Sequence, residues 1–156
     1  MNQRKTNRRK MKRRKSKQSK PIKKQLFFIT VPLYEREVCA VVGMSHEEAV
    51  RAAKKQKCTK DFIKALHWES AVELCDKVNK KEVDGAAVRV NEHSYFLFLR
   101  SYRNDWKYLD TLLHECFHMT QFISTVLTIW DDKEAPAYLH TWLFKKLRRV
   151  LSGNET

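Results

Sequence analysis

The sequence predicts an α+β fold, a small antiparallel sheet packed on helices. Three observations predict it. Short apolar, β-branched or aromatic runs fall at 26–33, 38–42, 87–90 and 94–99, the length and composition of strands. From Trp106 onward, apolar residues recur at helical spacing over two long segments. Finally, charge is segregated. The first 24 residues hold 13 Lys or Arg and no acidic residue, which leaves 19 basic against 18 acidic residues in the remainder. The chain therefore divides into a basic tail, 1–24, and one domain, 25–156, large enough for a modest core.

Met1 to Lys24 has almost no apolar content and cannot offset the entropy of ordering, so it is expected to be disordered alone. It lacks the apolar run of a signal peptide. Its densest cationic block, Arg8, Arg9, Lys10, Lys12, Arg13, Arg14 and Lys15, suits a polyanion, with nucleic acid the first candidate. The tail holds no aromatic residue, so that binding is expected to be phosphate-driven, sequence-independent and salt-sensitive. A solubilising arm, anionic lipid and ribosomal RNA are the blander readings of the same charge.

Leu26–Leu33 and Val38–Val42 read as strands around a turn at Tyr34-Glu35-Arg36, with Pro32 marking an edge or strand end and Gly43 stopping the second strand. Ser45-His46-Glu47-Glu48 is a capping box opening a helix to about Lys57, with His46 on its surface. Residues 60–81 read as one or two helices whose core is Phe62, Ile63, Leu66, Val72, Leu74, Cys75 and Val78. Asp84-Gly85 is a turn signal, after which Ala87–Val90 and Ser94–Leu99 form a hairpin around Asn91-Glu92-His93. Tyr95-Phe96-Leu97-Phe98-Leu99 is apolar on both faces and predicts an interior strand beneath the following helix. His93, at the turn, is expected to face solvent. Cys39, Cys58, Cys75 and Cys116 have no C-x-x-C spacing; they read as buried free thiols of a reducing compartment, hence a cytoplasmic protein. No run of residues is apolar enough to suggest a membrane partner.

The helix from Trp106 to about Trp130 carries His114-Glu115-Cys116-Phe117-His118. Two histidines four residues apart share one face of a helix, so both imidazoles can reach one metal ion. The glutamate after the first lies at the flank of that face, placed to take a proton from a water on the metal. On a 100° wheel centred on His114, Asp110, Thr111, His118, Gln121 and Thr125 fall within about 60°. Leu109, Leu112, Cys116, Ile123 and Leu127 fall opposite. Cys116 thus points away from both histidines, which excludes it as a nucleophile acting with them. A solvated polar stripe is the bland alternative.

After a break at Asp131-Asp132-Lys133 comes Glu134-Ala135-Pro136-Ala137-Tyr138-Leu139 and a second helix with Leu139, Trp142, Leu143, Leu147, Val150 and Leu151 at helical spacing. Lys145, Lys146, Arg148 and Arg149 suit its C-terminal dipole. Two helices joined by a short break pack antiparallel, which would bring Glu134 toward the histidines. Catalytic zinc needs three protein ligands and an open position; His114, His118 and Glu134 meet that count. Asp131, Asp132 and His140 are the other candidates for the third ligand. Glu134 is preferred because Tyr138, one turn on, shares its face.

His114-Glu115-x-x-His118 followed by Glu134-Ala135-x-Ala137-Tyr138-Leu139 resembles the gluzincins, and more narrowly the small metallopeptidase-like proteins of bacteriophage genomes. The resemblance implies a minimal zincin-like core: an HExxH helix and a following Glu-bearing helix. It implies Zn²⁺ held by His114, His118 and Glu134, with Glu115 as general base and a protein or peptide substrate in a bacterial host cell or virion. Two departures stand out: Glu134 follows His118 by only 16 residues, and Pro136 stands where a helix former is expected. On this reading Tyr138, or else His140, stabilises the oxyanion, Asp110 fixes the tautomer of His114, and the hairpin edge takes the substrate as an added strand. The rival reading is a nucleic-acid-binding or virion-associated protein that keeps a peptidase-like fold without turnover. A third is a protease restricted to one repressor.

Overall fold

The computed structural model describes residues 24–32, 34–102, 105–129, 131–132 and 134–153. The cationic block Arg8, Arg9, Lys10, Lys12, Arg13, Arg14 and Lys15 lies outside these residues. Lys24, the first described, closes an ion pair with Glu48 at 2.8 Å.

Among the described residues nine elements follow in order: β1 (Gln25–Val31), β2 (Arg36–Val42), α1 (His46–Lys55), α2 (Lys60–Leu66), α3 (Glu69–Asn79), β3 (Gly85–Arg89), β4 (Ser94–Leu99), α4 (Trp106–Leu127) and α5 (Ala135–Leu151). The class is α+β, but the sheet is mixed, which corrects the antiparallel expectation. Its order is β1-β2-β4-β3. β1 with β2 and β3 with β4 are antiparallel, whereas β2 and β4 run parallel, with Ala40 opposite Leu97. The cause is the connection. After β2 the chain crosses one face as α1, α2 and α3 and returns at the far edge as β3. The hairpin then places β4 between β3 and β2, and parallel neighbours require such a crossover.

Side chains on the two central strands alternate between two cores, as the period of a strand dictates. Val38, Ala40, Val42, Tyr95, Leu97 and Leu99 pack with Leu112, Cys116, Met119 and Ile123 of α4 and with Leu139, Leu143 and Leu147 of α5. Cys39, Val41, Phe96 and Phe98 pack with Ala49, Phe62, Leu66, Ala71 and Cys75 of α1, α2 and α3. The doubly apolar run at 95–99 is thus an interior strand, as its composition required.

Local signals account for most boundaries. The Ser45 hydroxyl accepts from Glu48 N at 3.2 Å and the Glu48 carboxylate accepts from Ser45 N at 3.0 Å, a complete capping box. Gly43 ends β2 at a positive φ of 63° and donates its N–H to Leu99 O at 2.8 Å. The chain bends at Asp84, as the Asp84-Gly85 signal suggested, but Gly85 already opens β3 and the left-handed residue of this connection is Lys81. His46 is half-buried rather than a surface residue, its Nε2 bonded to Leu66 O at 2.9 Å. His93 is exposed as expected, and its Nδ1 meets Arg36 Nη1. Cys39, Cys75 and Cys116 are buried free thiols, while Cys58 is half-buried. Among the described residues no helix is long and apolar enough to cross a membrane.

Candidate metal centre

α4 forms because Leu112, Cys116, Met119 and Ile123 recur at three- and four-residue intervals and all are buried on the sheet. Its start is set by Asp105, whose carboxylate accepts from Tyr108 N, and its end by Thr128 in the left-handed region at φ 53°. This rigid element carries His114, Glu115 and His118.

The two imidazoles face each other. His114 Nε2 and His118 Nε2 are 3.1 Å apart, with ring centroids at 4.7 Å and planes at 81°. Two nitrogens sharing one tetrahedral zinc at 2.0–2.1 Å would stand about 3.3 Å apart. The pair therefore fits a shared ion, and without one it makes a single N–H to N hydrogen bond.

Glu115 lies below them, in the seam between α4 and β3, with 6% of its surface exposed. Burial raises its pKa; the neighbouring His114 and His118 charges and the Ala87 backbone N–H pull the other way. A carboxylate whose pKa is raised by burial accepts a proton more readily than a free one. Gly85 makes the seam possible. A Cβ there would come within 2.9 Å of Thr111 Cγ2 and 3.1 Å of Glu115 Cγ, so only glycine lets the helix settle this closely.

β3 is an edge strand with one free side. Arg100 N donates to Asp84 O and Val90 N to Ser94 O, so the even positions of β3 bond to β4. Gly85, Ala87 and Arg89 then direct their N–H and C=O groups outward. The Ala87 N–H is the one that meets Glu115, and the remaining outward groups are available to an extended chain.

The cleft over this seam has a volume of about 750 Å³ and is lined by Glu82, Val83, Asp84, Asp110, Leu113, His114, Glu115, Phe117 and His140, among others. Asp84 is held by Arg100 and, at 3.9 Å, by Lys107. Asp110 lies in the same cleft as His114 but makes no hydrogen bond to it, so the expected tautomer-fixing contact is not made.

Glu134 and Tyr138 stand elsewhere. Both line a separate groove of about 490 Å³, with Val31, Pro32, Tyr34, Asp132 and Trp142, and Tyr138 is 71% exposed. Among the described residues no three His, Cys, Asp or Glu side chains are grouped to hold one metal ion. The expected triad of His114, His118 and Glu134 is therefore not assembled. The reason is rotational. Glu134 is the N-cap of α5 and, with Tyr138 and Trp142, faces β1. The side of α5 bearing His140 faces the cleft, its Nε2 3.3 Å from Leu113 O. Antiparallel packing set the approach of the helices but not the turn of α5 about its axis.

The hairpin edge was expected from the sequence to take an added strand, but Gly85 and Ala87 were not singled out within it. The Asp84-Gly85 pair was visible there, but as a turn signal it concealed a close approach between helix and strand. Cys116, buried with its pKa pushed up to about 12, is no nucleophile.

No family model, curated protein or solved structure matches the chain.

Proposed function

We propose that the chain is a zinc-dependent peptidase whose ion is held by His114 and His118, with Glu115 as general base. A single observation carries the reading: two imidazole nitrogens 3.1 Å apart on one helix face, above a buried glutamate of raised pKa. When bound, the ion supplies Lewis-acid polarisation of a carbonyl and a more acidic water. The chain's own residues supply the rest. The outward groups of Gly85 and Arg89 hold an extended peptide along β3. The Glu115 carboxylate takes a proton and returns it to the leaving amine, and exposed Leu113 and Phe117 beside the cleft shield the reacting carbonyl from bulk water. Asp110 and Tyr138 have no part in this arrangement.

The basic tail is read as the recruiting device: 13 cationic residues in 24 suit phosphate-driven attachment to nucleic acid. That attachment should weaken steeply with salt.

The test compares the full chain with Glu115→Gln, each loaded with Zn²⁺, on an unfolded protein such as casein, free and in the presence of duplex DNA. Wild type should cleave and the variant should lose roughly 10²- to 10⁴-fold in rate, with chelation removing the activity of wild type. Equal residual cleavage by both proteins would sink the peptidase. DNA binding unchanged by the variant, with no cleavage on any substrate, would favour the non-catalytic reading.

A further inference from the structure

We propose that the helical layer opposite the histidines binds single-stranded nucleic acid, with phosphates on a cationic track along α1 and α2 and a base stacked on Trp68. This concerns the other face of the sheet and does not depend on a metal. Between positions 51 and 64 the chain sets Arg51, Lys54, Lys55, Lys57, Lys60 and Lys64 against one acidic residue, Asp61. All six are exposed, and none closes an ion pair with a described carboxylate.

The fold gathers these charges. α1 buries Ala49, Val50 and Ala53, and α2 buries Phe62, Ala65 and Leu66, in the core beneath this layer. At 100° per residue, Arg51 and Lys55 then stand outward on α1, and Lys60 and Lys64 outward on α2. The link between the helices is tight. Lys57 takes a left-handed φ of 56°, and Cys58 N donates to Ala53 O at 3.0 Å, so the two cationic faces adjoin. Lys24, paired with Glu48 in the first turn of α1, brings the chain into the domain beside the same helix. An anionic membrane fits this layer less well. A helix lying on lipid needs a free apolar face, and both helices have spent theirs on the sheet.

Trp68 stands at the end of the track, one turn beyond Lys64, and is 47% exposed. With Lys64, Asn91 and His93 it lines a cleft of about 460 Å³. Every base offers a π-face to an aromatic ring, so DNA and RNA strands serve alike, whereas the bases of a duplex are already stacked. The basic tail holds no aromatic residue and cannot supply this contact. Glu37 and Asp61 line the same cleft. Their charges keep phosphates to the lysine side, and their oxygens can accept from base N–H groups.

The experiment measures binding of labelled oligothymidylate, a DNA duplex and phosphatidylserine vesicles to the full chain over a salt series, with tryptophan emission as a second readout. Wild type is compared with Trp68→Ala, with Trp68→Phe, and with Lys55→Ala, Lys60→Ala and Lys64→Ala combined. Circular dichroism verifies that each variant is folded. Trp68→Ala should weaken oligothymidylate binding roughly 5- to 150-fold, leave duplex binding unchanged, and lose the quench of emission that wild type shows. Trp68→Phe should keep most of the affinity. The triple lysine variant should flatten the slope of log K against log salt for oligothymidylate by about 2. The tail is common to all these proteins, so its own attachment cancels from each comparison. The inference is overturned if Trp68→Ala binds oligothymidylate as wild type does or loses as much on duplex. It is equally overturned if the lysine variant keeps the wild-type slope, or if its loss appears on vesicles alone.

Discussion

On one face of the sheet, α1, α2 and α3 close over Cys39, Val41, Phe96 and Phe98 with no buried charged side chain among the described residues. On the other, α4 and α5 close over Val38, Ala40, Tyr95 and Leu97, and there α4 buries Glu115, Thr120 and Ser124. Thr120 returns its hydroxyl to Cys116 O at 2.8 Å, but Ser124 Oγ finds no partner among the described residues. A buried carboxylate and an unpaired hydroxyl each cost stability. The first layer keeps its departures to its loops and caps, at left-handed Lys57 and Lys81 and the uncapped start of α3 at Trp68, whereas the second buries its polar groups on α4 within a few turns of the histidines. Buried polar groups concentrated in this way are what the proposed function would require of α4.

Substitution in each core is the strongest way to probe this contrast. Leu66→Ala beneath α2 and Leu112→Ala beneath α4 both remove a fully buried side chain and should each cost about 2–5 kcal/mol in denaturant titrations. Only Leu112→Ala should also weaken zinc binding, because it loosens the helix that carries both imidazoles. A matching loss in Leu66→Ala would erase the division between layers. Gly85→Ala comes next, at about 1–3 kcal/mol, because the new methyl meets Thr111, Glu115 and Leu99 within 3.1 Å. Peptidase activity should fall more than stability does, since α4 is lifted from β3 at Glu115. Ser45→Ala should cost about 1 kcal/mol by removing one arm of the capping box, with zinc affinity unchanged.

The smallest effect is a difference in sign. The Lys24 ammonium and the Ser45 N–H hold Glu48 below the usual 4.5. Its contribution to stability is present above that pH and fades as pH falls through the lowered value. Burial holds Glu115 above 4.5. The contribution of its protonated form is complete below 4.5 and is lost as pH rises through the raised value. Melting temperatures of metal-free protein from pH 3 to 8 should therefore separate the two. Glu115→Gln should gain on wild type as pH rises, and Glu48→Gln should fall behind it. Parallel curves for both variants would remove the contrast.

Much of the fold was legible because its signals are local. The capping box at Ser45, the stop at Gly43 and the doubly apolar strand at 95–99 each depend on neighbours within a few residues. The parallel pairing of β2 with β4 was not legible, because it depends on which edge the chain reaches after three helices. The candidate site divides in the same way. His114, Glu115 and His118 could be read because helix geometry places them together. Glu134 and Tyr138 could not be placed, because the rotation of α5 is decided by how Leu139, Leu143 and Leu147 seat on the sheet. His46 went astray for a similar reason: its partner, Leu66 O, is twenty residues away.

The glycine at position 85 has a further consequence. With no methyl between them, helix and strand meet backbone against side-chain stem, so the height of Glu115 above the sheet is fixed by hard contact. A floor of that kind cannot sink to accommodate a bulkier guest. If the proposed peptidase reading holds, selectivity at this cleft would fall to its other lining residues, Leu113, Phe117 and His140, while Glu115 keeps one depth.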